Sequence, residues 1–361
     1  GGNLKKNQRK NYCQKYMNLN HNVKASVVIL NWNGKRLLEQ FLPIVIKHTQ
    51  SDISKVIVSD NGSTDDSVRF MKENYPEIQL VTLDKNYGFA EGYNKTLHQV
   101  NSEYVVLLNS DVETTEGWLQ NLITYMDNHP EVAAVQPKIL SYKEKYKFEY
   151  AGASGGFIDR YGYPFCRGRI LDKVENDKGQ YDNEIPVFWA TGACLCIRLK
   201  DYFEMGGLDG SFFAHMEEID LCWRLNARGR KVMCIPSSIV YHVGGASLSK
   251  DNPKKMYLNF RNNLLMLYKN LPNRSLPGTF LVRFVFDILA YFHLIFKGEF
   301  KNAYAIIEAY RDFFNIFNSY KQKRIDNLKK TTQKSIATQY KRSILLKFYT
   351  GKKLFNSIIW K

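Results

Sequence analysis

From Val23 to Leu140 short apolar runs alternate with amphipathic stretches, and this rhythm limits the possible folds more than any other feature of the 361-residue chain. KASVVIL (24–30), KVIVSD (55–60), IQLVTL (78–83) and YVVLLN (104–109) are β-branched runs of the kind buried on both faces of a sheet. Between them GKRLLEQFLPIVIKHT (34–49), STDDSVRFMKENY (63–75), AEGYNKTLHQV (90–100) and EGWLQNLITYMDN (116–128) have helical spacing. The first helix is expected to be interrupted at Pro43. Ser63 followed by Asp66 resembles a capping box for the second. VAAVQPKIL (132–140) closes the series, so the prediction is an α/β fold with a mostly parallel sheet flanked by helices.

After Leu140 the rhythm breaks. GASGGFIDRYGYPFCRGR (152–169) is too irregular for another strand and helix, and is expected to lie over a site as loops and strands. Regularity returns with a strand in VFWATGACLCIR (187–198) and a helix in EEIDLCWRLNARG (217–229), closed by Gly229 at its C′ position. KVMCIPSSIVYHVGG (231–245) then reads as a strand running into His242.

Net charge is +16, but its location matters more than its size. From Lys254 onward lie 21 of the 51 Lys and Arg residues and only 5 of the 35 Asp and Glu, so the residues before it balance to neutrality. The basic stretch carries two amphipathic helices in series. In TFLVRFVFDILAYFHLIF (279–296) Arg283, Asp287 and His293 share one arc with Lys297, leaving a broad apolar face. Next, Ala303, Ile306, Ile307, Tyr310, Phe313, Phe314 and Phe317 recur at helical spacing opposite Glu308, Arg311 and Asp312. With the basic run 321–330 behind them, these helices suit an anionic membrane surface better than a span, with a hairpin packed on the rest of the chain as the compatible alternative.

The six cysteines show neither a CxxC pair nor regular spacing with His, which favours reduced core thiols over a zinc site or a disulfide framework. Residues 1–22 are polar and basic without an apolar signal core. A cytoplasmic protein is expected.

The fourth strand ends in Asn109-Ser110-Asp111, where a Gly, Pro or Ser turn would be ordinary. Asp111 either caps the helix beginning near Thr115 or belongs to a ligand site at the carboxyl edge of the sheet. Asn31 and Asp60 end the first and second strands, so parallel strands bring all three residues to one edge. Neither the GxGxxG fingerprint nor the P-loop lysine is present, which points to a nucleotide held by carboxylates and a metal.

The motifs VVILNWNG, VSDNGSTDDS, NYGFAEGYN, VVLLNSDVE, ATGACLCIR, FFAHMEEIDLCWR and YHVGGAS occur in this order between Val23 and Leu271. In them the chain resembles a family 2 glycosyltransferase of the rhamnosyltransferase-like branch, with a GT-A fold. The resemblance implies a nucleotide-sugar-binding half (23–140) and an acceptor-binding and catalytic half (141–271), flanked by the polar extension (1–22) and the basic helical C-terminal region (272–361) that composition marks off. It implies that Asp60 binds the donor's pyrimidine base beside Asn31, and that Asn86, Gly88 and Asn94 contact its ribose and phosphates. Asp111 matches the last aspartate of the DxD metal motif, whose first position is Asn109 here. His242 fits as the second protein ligand of a divalent cation, Mn²⁺ or Mg²⁺. Glu218 occupies the place of the family's general base, with Glu217 and Asp220 as alternates, and Asp220 is expected to pair with Arg224 instead. Arg261 could reach the donor diphosphate through the loop 247–255.

The expected activity is inverting, metal-dependent transfer of a sugar from a nucleotide-diphosphate donor to a glycan or lipid-linked saccharide, in cell-surface polysaccharide synthesis on the inner face of the plasma membrane. A sugar-nucleotidyltransferase is the alternative, but the Gly-rich, basic loop that would hold a triphosphate is missing after the first strand. A nucleic-acid-binding protein is weaker still, because no helix-turn-helix, RRM or KH pattern is present.

Overall fold

The structure, a computed structural model, describes residues 23–49, 51–244, 252–333 and 335–358. The segment 1–22 and residues 247–251 of the expected loop lie outside it. Its first part consists of β1 (Ala25–Asn31), α1 (Lys35–Thr49), β2 (Ser54–Asp60), α2 (Ser67–Asn74), β3 (Gln79–Thr82), α3 (Gly88–Leu97) and β4 (Tyr104–Asn109). Successive side chains of the strands face opposite layers. Val28, Ile57 and Leu107 join Tyr93 and Leu97 of α3 in one core. Val27, Ile29, Val58 and Leu108 join Leu38, Leu42 and Val45 of α1 in the other.

α1 runs through Pro43 without interruption. The exposed proline leaves only the Glu39 carbonyl without its helical donor, while burial of Leu38, Phe41, Leu42 and Val45 holds the helix on either side. The capping box does not form: α2 starts at Ser67 after Asp66, which makes no side-chain cap bond. Ser63 belongs to the preceding turn, its N–H donating to Asp60 Oδ1 at 2.9 Å.

Next come β5 (Val112–Thr114), α4 (Trp118–Asn128), β6 (Val132–Ser141), β7 (Gly156–Asp159), β8 (Pro164–Cys166), β9 (Arg169–Ile170), β10 (Lys173–Val174), β11 (Ile185–Pro186), β12 (Cys194–Arg198), α5 (Leu199–Met205), α6 (Glu217–Ala227) and β13 (Lys231–His242). The strand expected over 187–198 forms only from Cys194, because residues 187–193 form a buried loop bonded partly to Gly156 and Val232. Gly229 does close α6, with φ of 80°. The main sheet has the order β11-β13-β6-β12-β4-β1-β2-β3, with β5 on β13. It is parallel from β4 through β1 and β2 to β3, but β12 runs antiparallel to both β4 and β6. The mostly parallel sheet expected from the early rhythm is therefore a mixed one. β12 follows directly on a loop, so no crossover helix turns it parallel to its neighbours.

The basic region contributes α7 (Pro253–Asn270), α8 (Leu276–Phe296), α9 (Phe300–Lys329), β14 (Gln339–Tyr340) and α10 (Ile344–Tyr349). β14 pairs with β7 and completes the second sheet, β10-β9-β8-β7-β14. An ion pair ties α9 down as well, the exposed Lys323 placing its Nζ 2.8 Å from Oδ1 of the buried Asp209.

α8 is turned the opposite way from an ordinary surface helix. Arg283 and Asp287 are 3% and 2% exposed and face the protein, the guanidinium donating to Asp287 and, at 2.7 Å, to Asn263 Oδ1. Tyr163 and Tyr310 donate their hydroxyls to Asp287. Outward point Leu281 (67% exposed), Phe284, Val285, Leu289, Phe292 and Phe296 (86%), continued on α9 by Phe300, Tyr304, Ile307 and Phe314. α8 is also long and apolar enough, by length and composition, to cross a membrane. Cys166, Cys194, Cys196, Cys222 and Cys234 are buried free thiols.

Candidate active site

Because β1, β2 and β4 are parallel and in register, with Asn31 beside Asp60 and Leu30 beside Asn109, their terminal polar residues emerge at one edge. At its near end, Asn31 Nδ2 donates to Asp60 Oδ2 at 3.1 Å, while its own Oδ1 is buried without a partner. A cleft of about 640 Å³ adjoins this pair, between residues 33–37 and 64–66. It does not extend to Asp111, so volume alone would have missed the chemistry.

Asp111 does not cap α4. The chain turns at Ser110 into β5, which pairs antiparallel with the end of β13 and sets Val112 opposite His242. That register brings His242 Nε2 to 3.1 Å from Asp111 Oδ1, with the Asn109 side-chain amide 3.3 Å from the same nitrogen. Residues from two motifs far apart in the chain, VVLLNSDVE and YHVGGAS, thus converge on one spot. On the other side of the ring, Nδ1 lies 3.5 Å from Glu149 Oε1, an ion-pair distance longer than a good hydrogen bond. Burial works against charge on the imidazole, but the carboxylates of Asp111 and Glu149 outweigh it and push the His242 pKa up to about 10. Burial likewise raises Asp111, and its contact with His242 prevails to hold the carboxyl below its ordinary range. Gly244 is required here: its φ is 70°, and a Cβ would sit 2.9 Å from Glu149 Oε1.

The donor set suits a hard or borderline dication. For metal–ligand bonds of roughly 2.0–2.1 Å, adjacent ligands of an octahedron stand about 3 Å apart, and the Asp111 oxygen and His242 nitrogen are separated by 3.1 Å. Glu149 stands where metal-binding histidines usually find a carboxylate for their other nitrogen. Among the described residues no group of three or more His, Cys, Asp or Glu has the spacing of a complete metal cage. The remaining coordination positions would belong to other oxygens.

A second cluster opens α6. Glu217 is buried and Glu218 half-buried, and each has one carboxylate oxygen without a partner among the described residues. Burial raises both pKa values, that of Glu217 further because the Glu218 charge adds to it. Glu218 accepts the N–H of Gly192. One residue on, the Ala193 carbonyl accepts the N–H of Asn109 at 3.0 Å, so a short bridge links this carboxylate to the end of β4. Asp220 is committed elsewhere, accepting from Arg224, Lys269 and Asn270 in a buried network.

Other expected residues are used by the fold. Asn94 donates to Glu91 and Leu208 O and accepts from Tyr202 OH and Leu208 N, which leaves its amide no capacity for a ligand. Asn86 Oδ1 accepts from Gly88 N at 2.8 Å and from Asn61, capping α3. Gly88 has φ of 74° and backs onto the Phe213 ring, which a Cβ would meet at 2.5 Å. The Arg261 guanidinium donates to Ser211 O, Phe212 O and Asn262 Oδ1, so it is occupied with the loop before α6 instead of reaching toward Asp111. Sequence reasoning missed Glu149 and Asn262. The only sign of Glu149 was an acid in an otherwise irregular aromatic stretch.

Residues 26–182 match the family described as Glycosyl transferase family 2. The N-acetylglucosaminyl-diphospho-decaprenol L-rhamnosyltransferase of Mycobacterium tuberculosis is 26% identical over 259 residues, covering 67% of this chain and 83% of that protein. Among solved structures, GalNAc-T7 with UDP, GalNAc and Mn²⁺ superimposes with a TM-score of 0.55 at 14% identity, over 70% of this chain and 48% of that one. This chain therefore spans about half of GalNAc-T7. S. aureus TarS 1–349 matches with a TM-score of 0.53 at 15% identity, over 84% of this chain and 89% of its own.

Proposed function

The chain is a family 2 glycosyltransferase, rhamnosyltransferase-like and built on a GT-A-type fold, and from that premise we propose that it moves a sugar from a nucleotide-diphosphate donor to a lipid-linked saccharide, inverting the anomeric centre. The observation that carries this reading is the meeting of Asp111 and His242 at the carboxyl edge of the sheet. Asp60 and Asn31 would take the nucleoside end of the donor, and Asp111 with His242 would hold a divalent cation, Mn²⁺ or Mg²⁺. Bound there, the cation would supply positive charge to the diphosphate that leaves.

Glu218 is the general base of this reading, with Glu217 the alternate. Burial raises its pKa, which makes the ionised carboxylate a stronger base, and one of its oxygens has no partner among the described residues. The proton of the acceptor hydroxyl passes to the carboxylate as the oxygen attacks the sugar from the face opposite the diphosphate. The M. tuberculosis relative is named for a saccharide on a decaprenol diphosphate, which supports a lipid-linked acceptor and a role in cell-envelope glycan synthesis.

The outward apolar face of α8 and α9 supports a peripheral place on an anionic membrane, on the cytoplasmic side. Burying Arg283 and Asp287 against the protein leaves no polar stripe between the aromatics and the lipid, while exposed Lys297 and Lys301 sit beside Phe296 and Phe300 at the junction of the two helices. Aromatic burial and cationic attraction reinforce one another there. A panel of nucleotide sugars assayed for release of nucleoside diphosphate with a polyprenyl-diphosphate saccharide tests the activity. Release of pyrophosphate from a nucleoside triphosphate would instead make the chain a nucleotidyltransferase.

A further inference from the structure

We propose that Asn262 is a positioning residue for the base, acting through the backbone that leads into Glu217 and Glu218; the proposal rests on the reading of that pair as the seat of the base. The segment before α6 is conformationally costly. Phe213, His215 and Met216 adopt φ of 65°, 71° and 71°, a region that residues bearing a Cβ rarely enter. Non-glycine residues persist in it only where their surroundings over-determine them, and such places concentrate at functional sites.

Here the surroundings can be followed carbonyl by carbonyl. Asn262 on α7 is fully buried, and its Nδ2 lies 2.9 Å from Phe212 O, 2.8 Å from Ala214 O and 2.8 Å from His215 O. Its Oδ1 accepts from Arg261 Nε and Nη2, so the amide cannot flip without setting its oxygen against the carbonyls and its NH2 against the guanidinium donors. Arg261 Nη2 adds a bond to Ser211 O. From the opposite side the Phe213 carbonyl receives the N–H of Phe89 at 2.6 Å and of Ala90 at 3.2 Å. Every carbonyl from Ser211 to His215 is therefore taken, three of them by one side-chain amide.

The carboxylates that follow are more lightly restrained, Glu218 by the N–H of Gly192. Each keeps an oxygen without a partner among the described residues. Their aim therefore depends on the turn as well, and three of the carbonyls of that turn are held by Asn262.

The test is a cycle of variants in the full chain: Asn262→Asp, Glu218→Gln and the pair. Asp fills the same volume but offers no donor to the three carbonyls. Turnover of Asn262→Asp should fall about 10²-fold, the loss typical of a reacting group displaced by an ångström, with donor affinity unchanged. In the Glu218→Gln background the same substitution should cost nothing further, since there is no base left to aim. Losses that multiply, or wild-type turnover in Asn262→Asp, overturn the proposal. Should Asn262→Asp fail to fold, Asn262→Ser, which keeps one donor, replaces it in the cycle. Loss of a cooperative melt in both variants also overturns the proposal, by making the residue purely structural. If Glu218→Gln keeps full turnover, the Glu218 assignment fails and the cycle is read with Glu217→Gln; the Asn262 proposal then falls only if losses multiply there too.

Discussion

The Oε1 oxygen of Glu149 stands 3.5 Å from Nδ1 of His242, across the ring from Asp111. With Glu149 behind Nδ1, the imidazole presents Nε2 to Asp111. Carboxylates behind a ligating histidine are typically worth 10–100-fold in metal affinity. Glu149→Gln should therefore weaken Mn²⁺ binding by about that factor, read directly from the electron paramagnetic resonance of free Mn²⁺ in a titration. Unchanged affinity would reduce Glu149 to a packing residue.

Transfer should stop in excess EDTA and return with Mn²⁺ or Mg²⁺. Asp111→Asn, nearly isosteric, should lose most turnover while melting within a few degrees of the parent. Full activity in the chelator would remove the cation from the mechanism.

Glu218→Gln should lower turnover by about 10²–10⁴, the usual contribution of a general base, with donor affinity near normal in a thermal-shift titration. If Glu217→Gln is the inactive variant and Glu218→Gln works, the base is the neighbouring residue.

Glu217 also makes a prediction about stability. Burial and the adjacent Glu218 raise its pKa in the folded state, so its contribution is fully present below the unfolded value of 4.5 and is lost as pH climbs through the raised one. Glu217→Gln removes that loss. The variant should gain melting temperature over the parent at pH 8 and gain little at pH 4; an equal gain at both would assign the effect to something other than ionisation.

Membrane attachment is best tested by substitution on the outer face. Ending the chain near Leu271 would also delete Phe313, Tyr320, Tyr340 and Phe355 from the core, so the shortened protein would be no fair control. Phe284→Glu with Leu289→Glu changes only exposed positions. Anionic vesicles should sediment the parent in a salt-sensitive way and leave the double variant in solution, with both melting alike. Equal sedimentation of the two would mean that the face is covered by something other than lipid.

The strands and helices of residues 23–140 could be read because period and burial agree there, and the shared edge of Asn31, Asp60 and Asp111 followed from strand ends, whereas His242 came from the family resemblance. What escaped was whatever depends on a partner distant in the chain. A helical wheel shows that Arg283 and Asp287 share an arc, but not that Asn263, Tyr163 and Tyr310 wait to receive them. Asn262 looks like a polar residue on an exposed helix until the carbonyls of Phe212, Ala214 and His215 close around it. Asn94 is the opposite case, a motif residue whose amide is bonded to Glu91, Leu208 and Tyr202.

The pairing of β14 with β7 sets an order of events during synthesis. Tyr340 is added 181 residues after Asp159, its partner in the ladder, which at ribosomal speeds of about 5–20 residues per second is a wait of roughly 10–40 s. α8 and α9 leave the ribosome within that interval. Their aromatic face is thus presented to solvent, chaperone or lipid before the second sheet has its last strand, and a nascent chain that reaches a bilayer in time completes its fold already adsorbed. Slowing or speeding translation between codons 297 and 339 should shift the share of product recovered with membranes while leaving the finished enzyme identical in sequence and turnover.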